Sequence, residues 1–234
     1  MEKYELFVTA LKSTPNFNEF NQAELASLGQ FLGGDYVVFK DLYRAYIDKK
    51  SIYENKPIFG AKVEVAFDWE QGSVTFKRLE TKIVMTHHTL LQFLSLVDTC
   101  FLEIYPIGSV VELELEMMSE QVRRMYHDTE ALVSISGRKV WLGDDEKYFV
   151  DYVGRLWPFG EGPLTPPIFL SNAHIRRVMH TGFKDEIEEK FVQKALRLDI
   201  INGQRKSIAY LTDKELKTVD YVIKEQDDVK EGII

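Results

Sequence analysis

The sequence predicts an α+β protein: N-terminal helices plus a β-hairpin or meander, then a small antiparallel, barrel-like β domain with C-terminal helices. Three observations predict it. Apolar residues recur at helical spacing from Tyr4 to Ile47. The period switches to strict alternation at Lys62-Val63-Glu64-Val65-Ala66-Phe67. Beyond Ile104, short strand-like runs are separated by turns rich in Gly, Asp and Pro.

Each element follows from its residues. Tyr4, Phe7, Val8 and Leu11 share one helical face, and Pro15 with Ser13, Thr14 and Asn16 ends it. Asn21 followed by Glu24 has the capping-box pattern, before a stripe of Leu25, Leu28, Phe31 and Leu32 that Gly33-Gly34 stops. A third stripe between Asp35 and Lys50 carries Phe39, Leu42, Tyr43, Tyr46 and Ile47. These aromatic-rich faces read as mutual core packing rather than as a ligand pocket. Glu70-Gln71-Gly72 supplies a turn, and Val74, Phe76, Ile83 and Met85 continue the alternating series. Thr86 caps a helix with Leu90, Leu91, Leu94 and Val97 inward, ending near Cys100. The expected division is therefore 1–102, helical plus hairpin, and 103–234, β-rich with C-terminal helices.

In the second region Pro106 suits a strand entry, and strands are expected at Ala131 to Ile135, Lys139 to Leu142 and Tyr148 to Val153. Ser136-Gly137 and Gly143-Asp144-Asp145 read as the turns between them. Pro166-Pro167 excludes helix from the loop that ends there, and Ile168-Phe169-Leu170 resumes a strand. Asn172 caps a short turn, and Val178 to Thr181 returns as another strand. Asp185 with Glu188 starts a helix whose expected buried stripe is Ile187, Phe191, Val192, Ala195 and Leu196. Thr212 with Glu215 repeats the device ahead of Leu216, Val219 and Ile223.

Composition excludes several function classes. The chain has 234 residues, 45% apolar and 28% charged, which is ordinary for a globular fold. A single cysteine, Cys100, removes any intrachain disulfide and suits a reducing cytoplasm. The net charge of -8 argues against a nucleic-acid partner, which needs a basic footprint. No apolar run approaches the ~18 residues of a membrane span, and Met1-Glu2-Lys3-Tyr4-Glu5 lacks the basic start of a signal peptide. A cytoplasmic location without membrane insertion is the expectation.

Chemistry-bearing patterns are few. His87 and His88 are adjacent and cannot converge on one ion, His174 and His180 are split by a turn, and no metal-ligand spacing occurs, so neither metal nor cofactor is expected. Glu112, Glu114 and Glu116 fall on one strand face, roughly 6–7 Å apart, a separation known from glycosidase acid–base pairs. The plainer reading puts them in water, paired with Arg123, Arg124 or Lys139. Cys100 beside Phe101 and Leu102 reads as an inert buried thiol, and no nucleophile elbow or phosphate loop is present. The chain is therefore not expected to be an enzyme. More informative is Tyr152-Val153-Gly154-Arg155-Leu156-Trp157-Pro158-Phe159-Gly160, where large aromatics beside Pro and Gly make a rigid amphipathic loop. Trp157, Phe159, Tyr152 and Arg155 are its candidate partner-binding residues. The alternative is that Trp157 and Phe159 cover one end of the β domain.

Several motifs occur together in order. They are Tyr105-Pro106-Ile107-Gly108-Ser109-Val110-Val111, Asp151-Tyr152-Val153-Gly154 with the Pro158–Gly160 loop, and Ile168-Phe169-Leu170-Ser171-Asn172. The Ile175-to-Gly182 return and the acidic helix from Lys184-Asp185-Glu186 follow. From about residue 104 to 198 this order resembles a small domain-of-unknown-function family of Gram-positive bacteria. That family is encoded in type VII secretion gene clusters, often beside LXG-domain toxins. The resemblance implies a cytoplasmic accessory or targeting factor that binds an LXG-type toxin, or its small helical partners, before export. An immunity protein that blocks a toxin is the alternative. The resemblance implies no catalytic residues. Trp141-Leu142-Gly143 matches W-x-G and Tyr221-Val222-Ile223-Lys224-Glu225 matches Y-x-x-x-D/E, two export-like patterns. Both are read as structural, which makes the chain a helper rather than cargo.

Overall fold

The computed structural model describes residues 2–58, 60–118, 120–125, 130–143, 147–162 and 167–219, with only the backbone at 121, 122 and 125. The Gly143-Asp144-Asp145 and Pro166-Pro167 turns lie partly outside these residues, and the Tyr221/Glu225 pattern and Ile223 wholly outside. The chain divides into two compact units, Met1–Leu102 and Glu103–Ile234.

The first unit opens with helices α1 (Lys3–Ser13), α2 (Gln22–Gly34) and α3 (Tyr36–Ile47). Asn21 begins α2 by accepting the Ala23 and Glu24 N–H groups, as its spacing predicts. Strands β1 (Ile52–Asn55), β2 (Val63–Asp68), β3 (Ser73–Arg78) and β4 (Thr81–Thr86) form an antiparallel meander in that order. Alternation works as physics requires: Val65, Phe76 and Ile83 stand in register and are all buried. Helix α4 (His87–Phe101), capped by the Thr86 hydroxyl on the Thr89 N–H, closes the unit. Its Phe93 meets Phe7 and Phe17, with ring centroids 5.9 and 6.1 Å away. Phe7, Leu25, Leu32, Phe39, Leu42 and Tyr43 of the expected faces are core, whereas Tyr4 and Ile47 at the ends of the stripes are exposed. Strand β1 is absent from the sequence reading because Ile52 and Glu54 are exposed at the sheet edge, so no burial pattern marks it.

The second unit contains β5 (Val110–Leu113), a 3₁₀ turn Leu115–Met117, α5 (Glu120–Met125), β6 (Leu132–Leu142) and β7 (Tyr148–Leu156). Then come β8 (Ile168–Leu170), β9 (Ile175–His180), α6 (Glu186–Phe191), a π-helical segment Val192–Leu196, α7 (Arg197–Asn202) and β10 (Lys206–Ser207). The sheet order is β10-β7-β6-β5-β9, with β8 also pairing β7.

Two expectations are corrected here. Ser136-Gly137 is no turn: β6 runs unbroken for 11 residues, and a bulge between Ile135 and Gly137 absorbs the irregularity. Nor is the sheet closed into a barrel. Among the described residues β9 pairs with β5, β10 pairs with β7, and the two do not meet. Closure needs one enclosed core, whereas this sheet loads two clusters. Tyr152 packs with Val111, Val133, Ile168 and Leu170, while Phe149 packs with Ile104, Val192, Leu196 and Ile200. No helix among the described residues is long and apolar enough to cross a membrane.

Candidate partner-binding site

The aromatic loop leaves the end of β7. The Trp157 N–H donates to the Leu132 carbonyl at 3.0 Å, and the Gly160 N–H returns to the Leu156 carbonyl at 2.8 Å. Gly160 sits at φ +70°, a conformation that favours glycine. The Trp157–Pro158 bond inside this turn is cis. Trp157 is 50% exposed and Phe159 73%. Arg155 pairs with Glu161 at 2.9 Å. The structure therefore puts Trp157 and Phe159 on the loop with both large rings facing solvent, and Arg155 at the end of β7 beside it.

Tyr152 is elsewhere. It is completely buried, and its hydroxyl lies 3.1 Å from Asn172 Oδ1 and 3.3 Å from the Glu103 carbonyl while accepting the Tyr105 N–H at 3.2 Å. Asn172 Nδ2 donates to the same Glu103 carbonyl at 3.2 Å. A buried phenol needs such partners, so Tyr152 is a junction of the frame rather than a contact on the loop. Ser109 makes a second junction: its hydroxyl donates to the Pro106 carbonyl at 2.8 Å and accepts the Gly182 N–H at 3.0 Å. A Cβ at Gly182 would lie 2.2 Å from the Ile107 carbonyl oxygen, so only glycine fits there.

Two buried carboxylates escape sequence reading. Lys139 Nζ meets Asp151 Oδ1 at 2.6 Å with both side chains 1% exposed, and the Ser207 hydroxyl donates to the other carboxylate oxygen. Strands β6, β7 and β10 are thereby tied through one carboxylate. Glu112, expected in water, is buried and accepts from Arg176 (2.8 Å) and Arg177. The expected partners Arg123, Arg124 and Lys139 are not the ones used, because β5 pairs with β9 and presents Glu112 to that strand's arginines. The strand also stops at Leu113, so Glu114 and Glu116 do not continue its face. Among the described residues no group of three His, Cys, Asp or Glu is placed to hold a metal ion.

The helix that follows differs from its expected packing. Asp185 caps it through the Glu188 N–H at 2.8 Å, as predicted. Val192 and Leu196 are buried, but Ile187 is 76% exposed, Phe191 47%, and Phe183 just ahead of the helix 81%. Ile187 and Phe191 stand about 100° around the helix from Val192 and Leu196, and it is the latter side, continued by Ile200, that packs against Ile104 and Phe149. A cleft of about 240 Å³ opens beside it, with Glu103, Lys184, Glu188 and Arg197 in its wall. There the hydrogen bond that Lys184 donates to the Glu103 carboxylate holds its ammonium above the ordinary lysine range.

Residues 104–191 match the family model of the Domain of unknown function (DUF4176). The matched segment runs from Ile104 to Phe191, so it contains β5 to β9, Tyr152, the Ser109 junction, the aromatic loop and α6. Neither a curated protein nor a solved structure matches the chain.

Proposed function

We propose that this chain is a non-enzymatic accessory factor that binds an LXG-type toxin, or that toxin's small helical partners, in the cytoplasm before type VII export. The observation that supports a binding role is the exposure of Trp157 and Phe159 on a loop pinned by backbone hydrogen bonds. Large aromatics offer contact area at low side-chain entropy cost, and a fixed loop has little left to order on binding. The link to an LXG toxin comes from the motif resemblance of the same segment.

The test is titration of the full chain against the toxin's N-terminal targeting region and, separately, its C-terminal toxic domain. A helper engages the first, and Trp157→Ala weakens it by about 2 kcal/mol or more, the threshold of an interface hot spot. Engagement of the toxic domain alone replaces this reading with an immunity protein. Binding to neither removes both.

A further inference from the structure

A second apolar surface of the DUF4176 segment is left unused by that proposal. Ile187 and Phe191 lie four residues apart, so they stand on one side of the helix. Phe183 precedes the helix by two residues from its Asp185 cap. The Gly182 contact with the Ile107 backbone brings exposed Ile107 beside the start of this stripe. An exposed Phe, Ile and Phe in succession is unusual on a lone soluble surface and marks a contact site.

The rim decides what the contact is with. Around the stripe stand the carboxylates of Glu103, Asp185, Glu186, Glu188 and Glu189, against the cations of Arg138, Lys184 and Lys190. Arg138 is taken up by Glu188 and lies over the Phe191 ring, 5.5 Å from its centroid. Lys184 is taken up mainly by Glu103, at 2.9 Å against 3.8 Å to Glu189. Lys190 is taken up by Glu186 at 3.4 Å, so the five carboxylates of this rim exceed its three cations by two. A second copy of the same surface would bring this acidic excess against itself, which disfavours self-association. The apolar side that Ile187 and Phe191 give this helix is matched in width by the apolar stripe of a second amphipathic helix. We infer that the Phe183–Ile187–Phe191 surface docks an amphipathic α-helix of a partner protein, its apolar stripe flanked by lysine or arginine. The aromatic loop is not required for this contact.

The probe is a synthetic amphipathic helix of about 18 residues, roughly five turns, with leucines at heptad spacing and lysine flanks. It is titrated by fluorescence anisotropy against the full chain. Two control peptides replace the flanking lysines with glutamates or scramble the order at constant composition. The expected result is saturable binding of the lysine-flanked helix, about tenfold tighter than either control. Ile187→Asp discriminates the apolar contact from bare charge attraction. It adds a negative charge at an exposed site, so purely electrostatic binding would tighten, whereas docking on the stripe weakens by about tenfold or more. Phe183→Ser, outside the helix, supplies the same readout without touching helix stability. The Trp157→Ala/Phe159→Ala double variant retains the peptide, which separates this surface from the loop. Equal binding of the scrambled peptide, no saturable binding, or undiminished affinity of both stripe variants would overturn the inference.

Discussion

In the first unit's sheet the buried strand residues alternate with residues that face outward, whereas β7 of the second unit buries Phe149, Val150, Asp151 and Tyr152 in succession. The same contrast appears in where each unit keeps its ion pairs. Glu64 bridges Lys62 and Lys77 on the outward face of β2 and β3, in contact with water. Lys139 and Asp151 are sealed inside the other sheet. A one-faced sheet needs only a period of two to specify itself. A sheet loaded on both faces must also satisfy every polar group it encloses, with partners that arrive from distant parts of the chain.

The sharpest way to break this comparison is Asp151→Ala. It strands the Lys139 ammonium in the interior and removes the Ser207 acceptor, and should cost about 3–5 kcal/mol in denaturant unfolding. Replacing both partners together, as Lys139→Met with Asp151→Leu, should recover much of that loss. If the single and double variants are equally unstable, the buried pair is not what the second sheet depends on. Next in size is Tyr152→Phe, which keeps the ring but removes the hydroxyl that joins Tyr105, Asn172 and Glu103. A loss of about 1–3 kcal/mol is expected, the range for leaving buried polar groups unmet.

A smaller effect comes from acid. Burial raises the Glu215 carboxyl, but the hydrogen bonds from Thr212 and Lys206 outweigh it and hold the pKa at about 2, against 4.5 for the ordinary group. A depressed pKa means that the folded chain binds this proton less readily than the unfolded one. The stability it contributes is complete above pH 4.5 and is lost as pH falls toward 2. Glu215→Gln should therefore be less stable than the parent at neutral pH and indistinguishable from it near pH 2, as read from urea midpoints across that window. The smallest effect belongs to the exposed ladder of the first unit. Lys77→Ala should change stability by about 1 kcal/mol or less, and added salt should shrink even that. A loss as large as that of Asp151→Ala would erase the distinction between the two units.

Much of this architecture was legible because the responsible forces are local. Asn21, Thr86 and Asp185 each cap the helix they precede, since a side-chain oxygen reaches free N–H groups two or three residues on whatever surrounds it. Strands β2 to β4 could be read from alternation because one side of each meets the core and the other meets water. The composition of the aromatic loop was equally plain in the residues from Arg155 to Gly160. Which way Trp157 and Phe159 face was decided by the loop's hydrogen bonds to Leu132 and Leu156, the first of them far away in sequence.

Tertiary structure alone decided the rest. Tyr152 looked like a loop aromatic and is a buried junction, because its partners are Glu103, Tyr105 and Asn172. Glu112 sat in an alternating run that pointed it to water, yet β9 brings Arg176 and Arg177 over it. Ile187 and Phe191 have the spacing of a buried stripe, but the side that Ile104 and Phe149 cover is that of Val192 and Leu196. A sequence period reports which residues share a side of an element. Whether that side meets protein or water depends on the elements folded against it, and here those lie tens of residues away.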